Sequence, residues 1–201
     1  MTAFRLGLTG SIGMGKSTTA AMFAEQGIPV WDADAAVRRL YAPDGAAAQA
    51  VANRYPNALA ADGSVDRAAL RALIAKDPTV LDWLNATVHP LTAKDRAQFI
   101  TQHANAEIVL LDIPLLFETG AQSVCDAVVV VTAPAQVQRD RVLARHQMTG
   151  ADLDIILARQ MPDAEKRARA DFVIETSSLD SASTAVKSVI DTIKARKAKH
   201  A

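Results

Sequence analysis

The chain has 201 residues, 50% hydrophobic and 22% charged, a balance that suits one globular fold with a sizeable core and room for inserted subdomains. Lys plus Arg and Asp plus Glu number 22 each, so no global basic field exists for nucleic acid and any anion site has to be built locally. Cys125 is the sole cysteine, which excludes a disulfide framework and a cysteine-based metal cluster; it reads as a small apolar residue near a strand.

In chain order, FRLGLT (4–9) reads as a short apolar strand with no positively charged leader before it. The glycine-rich stretch LTGSIGMGKST (8–18) follows, and KSTTAAMFAEQ (16–26) has helical spacing that turns Ala20, Met22, Phe23 and Ala24 inward until Gly27 stops it. IPVWD (28–32) reads as a second strand, with Pro29 allowed at its start. ADAAVRRLY then becomes helical, with Asp34 near its N-terminus. Residues 43–104 are alanine-rich and lose the strand signal. There VDRAALRALIA (65–75) places Val65, Ala69, Leu73 and Ile74 on one face, and residues 79–104 place Val80, Leu81, Leu84 and Val88 likewise until Pro90 interrupts.

EIVLLDI (107–113) and DAVVVVT (126–132) are near-continuous apolar runs, suited to strands buried on both faces of a parallel sheet. PAQVQRDRVLARH (134–146) reads as a basic helix. TGADLDIILARQ (149–160) reads as another, with Gly150 breaking the chain and Asp152 a candidate cap. DFVIET (171–176) is the last strand and residues 180–198 the last helix. Strands alternating with helices predict an α/β fold with a parallel five-stranded sheet and flanking helices. The most apolar stretches, IVLLDIPLLF and AVVVVTA, are too short to span a membrane, so a soluble, cytoplasmic setting with no membrane or nucleic-acid partner is expected. No feature sets the oligomeric state, and a monomer is compatible with the sequence.

Gly10, Gly15, Lys16 and Ser17 match G-x-x-x-x-G-K-[ST] in full, with Ser11, Ile12, Gly13 and Met14 inside the loop and Thr18 following it. A phosphate chain has to lie against backbone N–H groups. Glycines permit the required dihedrals and clear side chains from its path, and the following helix offers unpaired N–H donors and its positive dipole end. Lys16 reaches β- and γ-phosphates and the Ser17 hydroxyl suits Mg²⁺. The strand before and the helix after complete the context of a P-loop NTPase-type fold that binds a nucleoside triphosphate, ATP, with Mg²⁺.

A GTPase switch needs Asp-x-x-Gly and Asn-Lys-x-Asp, and neither occurs; the chain is short for a motor. A small-molecule kinase fits, and it needs an acceptor pocket, a carboxylate near the acceptor hydroxyl and a basic lid. In WDAD (31–34), Asp32 and Asp34 lie at a strand's carboxyl end, where α/β ligands bind. Spacing alone leaves Asp34 open between catalysis and capping of the next helix, and Asp32 between a Mg²⁺-water partner and a strand-end hydrogen bond. Arg141 and Arg145, i and i+4 on one helix, are placed to clamp a polyphosphate, and residues 134–160 read as a lid. Asp112, after an apolar run, resembles a Walker-B carboxylate that holds Mg²⁺. Pro114, Leu115, Leu116 and Phe117 form an apolar edge for ligand or packing, and Glu118 reads as a salt-bridge or a site residue. The predicted organisation is a nucleotide-binding core (1–42, 105–133 and 161–201), a helical acceptor subdomain (43–104) and the lid (134–160).

Together LTGSIGMGKST, DADAAVR (32–38), LNATVHP (84–90), LLDIPLLFE (110–118), the Gln138–Arg141–Arg145 spacing and ADFVIET (170–176) resemble the dephospho-coenzyme A kinase family, in that family's order and over residues 4 to about 193. The resemblance implies ATP-dependent phosphorylation of the ribose 3′-hydroxyl of dephospho-CoA, giving CoA and ADP, the last step of CoA synthesis. It implies that Asp34 is the catalytic carboxylate, that Arg38, His89 and residues 114–118 gather the acceptor, and that Arg141 lies in the lid near ATP. Two positions depart from the family pattern: His146 follows the second lid arginine in place of Asp or Asn, and the last strand ends in Glu175-Thr176 in place of Asp-Asn. Another P-loop kinase, of a nucleoside monophosphate or a small metabolite, is the nearest alternative, and a non-catalytic ATP-binding regulator is a further one.

Overall fold

The computed structural model describes residues 2–144 and 148–199. Five strands form one sheet in the order β2-β3-β1-β4-β5: β1 (Phe4–Thr9), β2 (Val30–Asp32), β3 (Ile108–Asp112), β4 (Ala127–Thr132) and β5 (Phe172–Glu175). β1 runs parallel to both β3 and β4, and β4 parallel to β5. All five residues of β3 and the first five of β4 are buried, as their unbroken apolar runs require when both sheet faces are covered. β2 is three residues long instead of the five expected; Pro29 precedes it and offers its carbonyl to Leu110 N–H at 2.8 Å.

The helices are α1 (Lys16–Glu25), α2 (Ala33–Tyr41), α3 (Ala46–Arg54), α4 (Arg67–Lys76), α5 (Thr79–Gln102), α6 (Ala135–Leu143), α7 (Gly150–Ala158), α8 (Asp163–Ala168) and α9 (Leu179–Ala198). The chain divides into two compact units, residues 1–31 with 103–201 and residues 32–102. In the first, Leu6, Leu8, Phe23, Leu110, Val129 and Ile174 pack with Val186, Ile190 and Ile193 of α9 into one core. In the second, Ala47, Ala48 and Val51 of α3 meet Leu70, Val80, Leu84 and Val88. The alanines permit close helix approach, and Tyr55 and Trp83 add an edge-to-face pair at 5.1 Å.

Several local expectations are corrected. α5 continues through Pro90 for 24 residues. Proline's fixed φ fits a helix, and Ala86 and Pro90 are both exposed, so the carbonyl that loses its donor lies on a face open to solvent. Leu81 is 45% exposed and lies off the buried stripe. On α4 the most buried side chain is Leu70, which the anticipated face of Ala69, Leu73 and Ile74 left out. The helix starts after Asp66, whose side chain accepts from Ala68 and Ala69 N–H. At α7 the cap is Thr149; Asp152 is its reciprocal partner three residues on, in a capping box. α3 lies within the helical 43–104 segment, ahead of its two patterned stretches, and α8 is a short helix that the local pattern does not predict.

Candidate active site

β1 is the switch point of the sheet, flanked by β3 on one side and β4 on the other, and its carboxyl end opens into the glycine-rich loop. Ligands of open parallel sheets lie at such points. The loop turns through left-handed Gly13 (φ 77°) and Gly15 (φ 83°). Gly13 also admits a close approach: a Cβ there would lie 2.7 Å from Val142 Cγ2 and 3.0 Å from the Gln138 carbonyl oxygen. α1 then begins with Gly15 as its cap, with no side-chain cap hydrogen bond and no acid in its first turn. Its first N–H donors are therefore not spent on a side chain, the condition for an anion to take them.

Lys16 Nζ lies 2.6 Å from Asp112 Oδ1, with the carboxylate side chain only 5% exposed. The pairing of β1 with β3 creates this contact, because the register sets Leu8 opposite Asp112 at the end of the ladder. A buried carboxylate is costly without a counter-charge, and the loop lysine supplies it. Ser17 and Thr18 are exposed at the start of α1, while Ser11 and Met14 are buried. The segment after β3 is tied to the same end of the sheet by Thr9 Oγ1, which donates to the Pro114 carbonyl at 2.9 Å. Within it Leu116 is fully buried, seated over Gly7, and Leu115 is exposed.

Glu118 Oε1 accepts from Met161 N–H at 2.9 Å and lies 2.9 Å from Nζ of Lys166, whose side chain has no exposure. Burial pushes the Glu118 carboxyl up, but the Lys166 ammonium and the Met161 N–H outweigh it and hold it below its ordinary value. A carboxyl depressed in the fold contributes stability above its unfolded pKa, about 4.3, and loses it as pH falls through the folded value. Glu118→Gln is therefore expected to lower the melting temperature at pH 7, where it leaves Lys166 buried without a counter-charge. The gap from the parent should narrow from pH 5 to pH 3; a gap constant across that range in thermal melts would disprove the linkage.

Arg141 donates to the Thr176 hydroxyl at 3.0 Å and to the Thr176 carbonyl. Thr176 in turn shares its hydroxyl hydrogen between the carbonyls of Met14, at 2.9 Å, and Thr132, at 3.2 Å. The threonine that departs from the Asp-Asn pattern thus joins α6, the phosphate loop and β4. Arg145 lies outside the described residues. Gln160 and Lys166 carry no sequence signal for these contacts: no motif surrounds Gln160, and Lys166 looks like any cation in a polar stretch.

In the second unit, Asp32 and Asp34 separate into two roles. Asp32 is the cap of α2, its carboxylate accepting from Ala35 N–H at 2.9 Å. Asp34 is exposed in the first turn, which leaves its carboxylate open to solvent. Arg38, one turn on, is exposed and 3.7 Å from Asp32. Arg39 pairs with Asp95 of α5 at 2.7 Å and braces the two helices. His89 is exposed on α5.

Comparison with known proteins decides what these parts belong to. The family model described as dephospho-CoA kinase matches residues 4–181. The chain belongs to the dephospho-CoA kinase family. A dephospho-CoA kinase of Cereibacter sphaeroides is 61% identical over 190 residues, covering 94% of this chain and 95% of that protein. The dephospho-CoA kinase of Jannaschia is 59% identical over 179 residues, covering 89% and 91%. Among solved structures, one from Thermus thermophilus superposes with a TM-score of 0.82 at 34% identity, over 96% of this chain and 98% of that one. The dephospho-CoA kinase of Campylobacter jejuni, 22% identical, shares the fold with a TM-score of 0.66 over 94% of this chain and 96% of its own. Family membership accounts for the parallel five-stranded sheet with a phosphate loop at its switch point, and it makes ATP a substrate. Among the described residues, no helix is long and apolar enough to cross a membrane.

Proposed function

We propose that the protein transfers the γ-phosphate of ATP to the ribose 3′-hydroxyl of dephospho-CoA, releasing ADP and CoA. The observation that carries this reading is the family match over residues 4–181, on a chain whose phosphate loop holds Lys16 against Asp112. The 3′-oxygen attacks Pγ in line, a new P–O bond forms, and the bond from Pγ to the β-phosphate oxygen breaks to leave ADP. The hydroxyl proton goes to Asp34, which also orients that oxygen. Phosphoryl transfer passes through a loose transition state, so most of the acceleration comes from placing the two substrates and from matching charge on the equatorial oxygens.

Within the loop from Gly10 to Thr18, the N–H groups not bonded to Gln160 or Ser11 hold the phosphate chain, Lys16 neutralises the charge shared between β- and γ-phosphates, and Arg141 with Arg145 covers it from the lid. Arg38, His89, Pro114, Leu115, Leu116 and Glu118 gather the acceptor. The fully buried Leu116 acts by shaping the segment and the exposed Leu115 by contact. Asp112 and Ser17 offer hard oxygen donors, which with phosphate oxygens and water fit Mg²⁺. The ion supplies further neutralisation of the phosphate chain. Cys125 as the sole cysteine fits an enzyme of a reducing compartment such as the cytoplasm.

The test is ADP release by the purified protein with ATP, Mg²⁺ and dephospho-CoA, with AMP, dTMP, shikimate and gluconate as parallel acceptors. Turnover with dephospho-CoA alone, and product carrying a 3′-phosphate, is the expected result. Turnover with another acceptor instead would keep the phosphate loop and overturn the acceptor assignment.

A further inference from the structure

The phosphate loop is gripped at one residue from two sides, by α6 and by the segment that follows α7. Gln138 of α6 donates from Nε2 to the Ile12 carbonyl at 2.7 Å. Gln160, two residues past the end of α7, accepts from Ile12 N–H at its Oε1 at 3.2 Å. A carbonyl only accepts and an N–H only donates, so the chemistry fixes which way each amide faces. Gln138 is 7% exposed and sits on the part of α6 that presses against Gly13, where no Cβ fits. Gln160 is rooted by its neighbour, since Met161 N–H donates to Glu118, the counter-ion of buried Lys166. Two residues after Ile12, Met14 donates its N–H to the Ser11 carbonyl and accepts from the Thr176 hydroxyl at its own carbonyl.

We propose that Gln138 and Gln160 are positioning residues: by holding both polar groups of Ile12, they set the phosphate loop in its anion-binding shape and couple that shape to α6 and to the segment that follows α7. Neither side chain has to touch ATP for this. A loop of glycines has many conformations open to it, and two opposed hydrogen bonds at one residue select one before the ligand arrives. If either is lost, the loop has to be ordered by ATP itself, which weakens nucleotide binding and leaves acceptor binding alone. The inference rests on the kinase reading only in taking ATP as the ligand.

The test is calorimetric titration of ATP with Mg²⁺, without acceptor, into the parent, four single variants (Gln138→Met, Gln160→Met, Gln138→Glu and Gln160→Glu) and the double methionine variant. Each methionine variant is expected to bind ATP about 5- to 10-fold more weakly, the weight of one hydrogen bond. The double methionine variant should be little weaker than the worse single one, because both act through Ile12. The two glutamates bring the same new charge to the same residue but differ in hydrogen-bond polarity. Gln160→Glu still accepts from Ile12 N–H, whereas Gln138→Glu sets a carboxylate against a carbonyl, so Gln160→Glu should bind ATP at least 5-fold more tightly than Gln138→Glu. Should buried Gln138 not tolerate replacement, the half-buried Gln160 pair decides alone: Gln160→Met weaker than Gln160→Glu supports the proposal. Methionine variants within 2-fold of the parent, or a lowered melting temperature with unchanged ATP affinity, would overturn it. Because no acceptor is present, a wrong acceptor assignment leaves this result standing.

Discussion

Lys16→Ala is expected to lower kcat for ADP release by about 10³-fold, the scale of removing one preorganised charge from a developing transition state. The proposed catalytic role of the lysine follows from its position: it follows left-handed Gly15 on a loop at the carboxyl end of the sheet, and its side chain is only 16% exposed. The same substitution leaves Asp112 buried without its cation, a situation that costs about 3 kcal/mol. The variant should therefore melt earlier in the absence of nucleotide. Adding Asp112→Asn removes the buried charge that Lys16 balanced, so the double variant should regain part of the stability and none of the turnover. That split separates the chemical role of Lys16 from its structural one. A Lys16→Ala protein that turns over at the parent rate would remove the phosphate loop from the mechanism.

Asp34→Asn is expected to lower kcat by about 10²- to 10⁴-fold, the range for losing a general base, while ATP affinity stays at the parent level. The structure makes this variant a clean probe. Asp32 caps α2, so the stability of that helix does not hang on Asp34; removing the exposed acid from the first turn costs about 0.5 kcal/mol through the helix dipole. Asp32→Ala is the contrasting control, costing about 1 kcal/mol of stability as a lost cap. If Asp34→Asn kept near-parent turnover with an unaltered melting temperature, the assignment of the carboxylate would fall. Because the transition state of phosphoryl transfer is loose, the part of the effect that survives at high pH measures orientation of the hydroxyl, and the remainder measures proton removal.

Much of the molecule was legible in local sequence. The phosphate loop is a short-range statement: glycines where φ must be positive, a lysine and a hydroxyl at fixed offsets, a strand before and a helix after. β3 and β4 announced themselves as unbroken apolar runs, and the helical character of 43–104 as the loss of such runs. Ambiguity arose where one residue type serves two purposes. An aspartate at a strand end can cap or catalyse, and only the hydrogen bond from Ala35 N–H to Asp32 tells which of the pair caps. Pro90 breaks most helices in isolation, yet α5 carries it on an exposed face where its lost hydrogen bond matters least.

What the sequence by itself determined is the set of parts: a nucleotide-binding loop, buried parallel strands, a helical insertion, a basic helix followed by another and, through ordered motifs, the family. Only the tertiary structure decided which distant residues meet. Lys16 and Asp112 are 96 residues apart, Ile12 and Gln138 126 apart, Ile12 and Gln160 148 apart. Backbone dihedrals and hydrophobic period are properties of a few neighbouring residues and are written locally. A contact across the fold depends instead on strand order, on register and on which helix packs against the loop. A glutamine or a lysine carries no mark of the partner that those choices will bring to it.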